Sequence, residues 1–141
     1  MTGFVIRRMT EADAAAFDNI APDVFDEPID PQRLATYLAT PGHLMLLAFD
    51  ADLVVGQCAG VVHRHPDKST ELYVDELGTA STHRRQGIGR ALLEAIFAWG
   101  SELGCKEAWL GTELDNEAAN ALYRGQRPVE DEAIQFYVFR L

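Results

Sequence analysis

The chain has 141 residues, 48% of them apolar, which is enough for one compact domain, residues 1–141, with a core of its own. Its formal charge of −10 argues against nucleic acid as a main partner, and fits either a cationic substrate or ordinary solubility. The start, Met1 to Arg8, holds no apolar run long enough for a signal peptide or a span, so a cytoplasmic protein without a membrane partner is expected.

Phe4 to Met9 reads as a first strand, and Thr10-Glu11-Ala12-Asp13 as a helix start with a threonine cap and an acid three residues on. That helix fades near Ile20-Ala21-Pro22. An acidic stretch follows, with Asp23, Asp26, Glu27 and Asp30 interleaved with Val24, Phe25 and Ile29. Asp30-Pro31 opens a second helix with Leu34, Tyr37 and Leu38 on one face, and Pro41-Gly42 ends it. His43–Phe49 and Leu53–His63 form a hairpin over Asp50-Ala51-Asp52, where Gly56 and Gly60 hint at a bulge or a close approach. His63-x-His65, the one histidine pair, reads as a surface feature rather than a ligand set, and no metal is expected. Cys58 and Cys105 fall in apolar segments and are expected as buried thiols, as in a cytosolic protein.

Glu71–Thr79 is a strand that feeds a basic, glycine-punctuated turn, His83 to Arg90. A long helix follows, with Ile88, Leu92, Leu93, Ile96 and Leu103 on its buried stripe and Gly104 as C-cap. Such a turn at a helix N-terminus is an anion site, because unpaired N–H groups and the helix dipole converge there. It is no Walker A loop, lacking Gly-Lys-Ser/Thr, and no dinucleotide fingerprint, lacking a third glycine. Lys106 to Thr112 is the next strand, Asp115 caps a short helix from Asn116 to Tyr123, and Gly125 to Glu132 is loop. Ala133 to Leu141 closes the chain as a strand, whose apolar residues Ile134, Phe136 and Val138 make a homodimer an expectation. The order describes an α/β domain, with helices covering a mixed, largely antiparallel sheet.

Arg84-x-x-Gly87-x-Gly89 after a strand resembles the acyl-CoA-binding motif of the GNAT family of N-acetyltransferases, and the element order of the whole chain is the one that family shows. The resemblance implies that Arg84, Arg85, Gln86, Gly87, Ile88, Gly89 and Arg90 hold the pyrophosphate of acetyl-CoA. It also implies that the Leu77 N–H meets the thioester carbonyl and that Thr79 continues the contacts to pantetheine. Asn116-x-x-Ala119-x-x-Leu122-Tyr123 looks like the second half-site: Asn116 and Ala119 lie on the cofactor side, and the Tyr123 hydroxyl lies near the sulfur. Val24-Phe25-Asp26-Glu27, Pro31-Gln32-Arg33-Leu34, Glu71-Leu72-Tyr73 and Glu76-Leu77 look like the small aminoglycoside 3-N-acetyltransferases, which implies a polycationic acceptor. One departure follows Tyr123: the family's glycine is displaced to Gly125, with Arg127 near its usual place.

Transfer of acetyl to an amine needs a base, an oxyanion donor and an acid for the leaving thiolate. Asp75 and Glu76 are adjacent, so in a regular strand they face opposite sides, and only a bulge would let both reach the acetyl group. The resemblance favours Glu76 as base or amine anchor with Asp75 as its partner, and Tyr123 as acid. The plain alternatives are solvated strand-end acids, a packed tyrosine and a helix-start asparagine. Asp26 and Glu27, with Asp75 and Glu76, are the candidate acceptor-binding residues; the acidic cluster reads equally well as a solvated loop. Neither cysteine sits in a motif with a base, so direct transfer without a covalent enzyme intermediate is expected. Other amines (a polyamine, an amino-acid derivative, a protein N-terminus) and a non-catalytic acyl-CoA-binding module remain the alternatives.

Overall fold

The computed structural model describes residues 3–141, in two compact units that divide after Leu110. The first carries a five-stranded sheet in the order β1-β2-β3-β4-β5: Val5–Arg8, His43–Asp50, Leu53–His63, Glu71–Thr79 and Glu107–Trp109. Neighbours run antiparallel except for β4 and β5, which are parallel. This is the expected α/β architecture.

Helix α2, Ile88–Glu102, covers one face of the sheet, burying Ile88, Leu92, Leu93 and Ile96. It lies close because glycines face it: a Cβ on Gly56 would meet Ile88 at 2.8 Å, and one on Gly60 would meet Ile96 at 3.4 Å. Leu103, expected on that stripe, is instead the C-cap and 43% exposed. The helix stops in a Schellman arrangement: Gly104 takes φ +92, its N–H donates to Ser101 O, and the Cys105 N–H donates to Gly100 O. Arg8 of β1 forks onto Glu102 while its guanidinium lies 4.9 Å from the Trp99 ring centroid.

The segment after β1 starts where expected, with a reciprocal cap: the Ala12 N–H donates to Thr10 Oγ1 and the Thr10 N–H to Asp13 Oδ2. It then winds as a 3₁₀ helix over Glu11–Asp18. Helix α1, Pro31–Ala39, is capped by Asp30 and has proline in its first turn. Its Leu34, Tyr37 and Leu38 are the partly buried face.

Strand β5 is three residues long, shorter than expected, and it pairs with β4 only from Glu71↔Glu107 to Tyr73↔Trp109. Beyond Tyr73, β4 has β3 on one side and no strand on the other among the described residues.

In the second unit, α3 spans Glu117–Gly125 and is capped by Asn116, not Asp115. The expected last strand is absent: among the described residues 133–141 have no strand partner and are exposed, Phe136 at 79%. Their alternating pattern suits a strand, but a strand exists only when another edge accepts its hydrogen bonds.

Candidate active site

The register of β3 with β4 slips by one residue. Ala59 pairs with Glu76 and Gly60 with Val74, so Asp75 has no partner. This is a β-bulge, in which two residues of one strand oppose one of the other. It lifts the alternation that would send the two acids to opposite faces. Asp75 raises the pKa of Glu76, and both raise that of Tyr37, so the three groups share one neighbourhood. Both carboxyl groups sit above the ordinary carboxylate range, chiefly because surrounding protein desolvates them. Asp75 and Asp26 push Glu76 further up, and a hydrogen bond from Gln57 pulls it back. For Asp75, a bond to its own backbone and the nearby His43 pull back.

The same strand turns its amides outward. The Ala80 N–H donates to Val55 O at 2.8 Å, across β3. In an antiparallel pair the hydrogen-bonding side alternates, so the amides of Leu77 and Thr79 point to the opposite edge, where no strand pairs. Gly78, between them, packs against the chain: a Cβ there would stand 2.3 Å from the Val24 carbonyl oxygen.

Val24 lies within the acidic stretch. Asp18, Asp23, Asp26 and Glu27 line a cavity of about 860 Å³ with Phe17 and Phe25, between the 3₁₀ helix and α1. Asp30 belongs to the same run of acids but is used as a helix cap, accepting from the Gln32 N–H. Tyr37 of α1 is half-buried, donating to Leu44 O at 2.8 Å, and desolvation with the nearby Asp75 and Glu76 holds its hydroxyl well above the usual tyrosine range.

The basic turn is built as an anion cradle. Arg85 and Gly87 take positive φ, +62 and +81, and Gly87 begins α2 without any side-chain cap, leaving first-turn N–H groups open. Arg84 and Arg85 are exposed and have no partner among the described residues, whereas Arg90 pairs with Glu94 at 3.1 Å. Gln86 is exposed, Gly89 lies in the first turn, and Ile88 is buried against the sheet. His83 ties the turn to the β2–β3 hairpin, its Nε2 2.8 Å from Asp50 Oδ2 and its Nδ1 2.8 Å from Thr82 Oγ1.

In the second unit, Asn116 Oδ1 accepts from the Ala119 N–H, so this side chain is a helix cap, with its own amide donors unused among the described residues. Tyr123 lies seven residues on, within α3. Arg127 takes φ +57, the left-handed conformation for which glycine would be the natural residue. Arg124 bonds Asp131 at 2.8 Å, holding the segment beyond.

His65 Nε2 lies 2.6 Å from Glu71 Oε1, and its ring centroid lies 4.3 Å from that of His63, the two rings tilted by 41°. These donors lie within 4.8 Å of one another, at the end of β3–β4 remote from the bulge. Cys58 is buried and Cys105 half-buried, both as free thiols; burial and Asp75 push the Cys58 thiol to about 12, so it stays protonated.

Sequence reasoning passed over Gln57, Tyr37 and Gly78. Gln57 had a signal: from Leu53 to Val62 it is the one residue that is neither apolar nor glycine. Gly78 had none, since its constraint comes from a backbone carbonyl more than fifty residues earlier.

The model of the acetyltransferase (GNAT) family matches residues 7–126. The aminoglycoside N(6')-acetyltransferase type 1 of Stenotrophomonas maltophilia is 28% identical over 138 residues, covering 94% of this chain and 90% of the relative. Among solved structures, an aminoglycoside acetyltransferase from an uncultured soil metagenomic sample, in complex with sisomicin, superposes with a TM-score of 0.84. It is 21% identical and covers 98% of this chain and 96% of that one. Aminoglycoside N-acetyltransferase AAC(6')-Iy in complex with CoA gives 0.78 at 18% identity, covering 100% and 97%. At these identities the structural likeness is one of fold. With the family model spanning most of its length, the chain belongs to the acetyltransferase (GNAT) family and is an acyl-CoA N-acyltransferase.

Proposed function

We propose that this protein transfers acetyl from acetyl-CoA directly to an amine of a small polycationic acceptor of the aminoglycoside class. The observation that carries this is the bulge at Asp75, which sets two carboxylates beside an unpaired strand edge, with Glu76 within electrostatic reach of Asp26 of the acidic cavity. Asp26, Glu27 and Asp75 attract the ammonium groups, and Glu76 takes the proton that frees one amine for attack. The nitrogen attacks the thioester carbon while the outward amide of Leu77 holds the oxyanion; Thr79 extends the same edge along the pantetheine arm. The C–S bond breaks and the thiolate takes the Tyr123 proton. The turn from Arg84 to Arg90 receives the pyrophosphate, and Asn116 and Ala119 receive the arm. The protonated Cys58 is a poor nucleophile, which favours direct transfer.

The 3-N position expected from the sequence finds no support in the relatives, whose names give N(6'). We therefore place the acetyl group on the 6'-amine. The family match runs through both units, which supports a single domain over residues 1–141. Free thiols, and no helix among the described residues long and apolar enough to cross a membrane, fit the cytoplasm. The bare apolar tail, residues 133–141, fits a homodimer.

Thiol release from acetyl-CoA, measured over a panel of aminoglycosides and polyamines with NMR of the product, tests this. Turnover confined to aminoglycosides and lost in Glu76→Ala supports it. Turnover confined to polyamines overturns the acceptor class, and CoA binding without turnover on any amine overturns catalysis.

A further inference from the structure

Strand β3 is apolar or glycine from Leu53 to Val62 except at Gln57, and Gln57 is 2% exposed. A primary amide placed there gives up its water, a loss made good only by hydrogen bonds. Its Nε2 makes two, each at 3.3 Å, to Val24 O and to Glu76 Oε1. Turning the amide over would set its oxygen against a carbonyl and a carboxylate, so these partners fix its orientation. Its own Oε1 is left buried with no partner among the described residues. A side chain serving packing alone would be a leucine or methionine, with no orphaned acceptor.

We propose that Gln57 is a positioning residue that holds the Glu76 carboxylate and the Val24 carbonyl in one register, so that the base and the acidic acceptor wall are set together. The inference rests on the acetyltransferase reading above and adds a residue to it. The cross-strand partner of Gln57 is Gly78, and the missing Cβ there is what lets the Val24 carbonyl descend onto the strand beside the amide. From Val24 the chain runs directly into Asp26 and Glu27 of the cavity. The charged groups that oppose ionisation of Glu76 are Asp75 on β4 and Asp26 on the acidic stretch; Asp75 in turn raises the Cys58 thiol on β3, both acids raise the Tyr37 hydroxyl on α1, and His43 on β2 favours charge on Asp75. Gln57 is the single hydrogen-bond donor to Glu76 among the described residues.

The experiment compares Gln57→Leu, Gln57→Met and Gln57→Glu in the full chain. One arm is kcat/KM against pH with acetyl-CoA and an aminoglycoside; the other follows the Glu76 side-chain carboxyl by carbon NMR in the ligand-free protein. Loss of the donor moves the Glu76 titration and the acidic limb upward by about half a unit to one unit, with Gln57→Glu moving furthest because it adds a negative charge. In a Glu76→Gln background, Gln57→Leu costs less than about twofold more in turnover, since residues acting as a unit are not additive. A change in thermal stability with the Glu76 titration unmoved overturns the proposal and leaves Gln57 a packing residue. If the wild type acetylates no amine, the functional reading fails by itself, and the NMR titration still decides the role of Gln57.

Discussion

As the proposed base, Glu76 would act only once it has lost its proton, and desolvation together with Asp75 makes that loss harder than for an ordinary glutamate. Activity should therefore fall as pH drops through a pKa above the usual carboxylate range. Asp75→Asn, by removing a like charge, should move that limb to lower pH. The same substitution should raise the melting temperature at neutral pH. The folded pKa of Asp75 is raised, so ionisation costs stability above the unfolded value, and the gain should vanish in acid where both states are protonated. Glu76→Gln should lower kcat/KM by about 10²- to 10⁴-fold in steady-state kinetics. Gly78→Ala would drive a Cβ into the Val24 carbonyl, and should raise the acceptor KM on the order of tenfold or more while CoA binding holds. Of these residues, the two acids were legible as adjacent strand-end carboxylates, but their common side was not. The bulge is a fact of register, and register depends on β3 as much as on β4. The glycine displaced after Tyr123 was legible, and its structural counterpart is the left-handed Arg127. Arg127→Gly should stabilise the protein by about 0.5–1 kcal/mol, read from chemical denaturation.

Elements closed by local rules were readable. The threonine box, the Asp30-Pro31 start and the Gly104 stop each lie within a few residues of the groups they satisfy. The β2–β3 hairpin was readable for the same reason. What failed were statements that depend on distant partners: the length of β5, and the strand after Ala133. Leu103 failed differently, because the 3.6-residue period was carried past the point where the helix unwinds at its cap. The stripe of α2 still sets the core. Ile96→Ala should cost about 2–5 kcal/mol in denaturant unfolding, and Leu103→Ala far less, since a half-open side chain leaves no cavity.

For the whole molecule, a formal charge of −10 gains a specific meaning once an acidic cavity is located. The polycationic acceptor proposed above would then be drawn both by the overall field and by nearby carboxylates. The free edge of β4 has a further consequence. Backbone amides that no neighbouring strand pairs are what chains use to recruit one another into aggregates. A ligand whose arm contains its own amides would satisfy that edge as a temporary neighbour. Hydrogen exchange at Leu77 and Thr79 should then slow on adding CoA, and the shelf life of concentrated protein should lengthen with it. The co-substrate would serve this chain as a colloidal stabiliser as well as a donor.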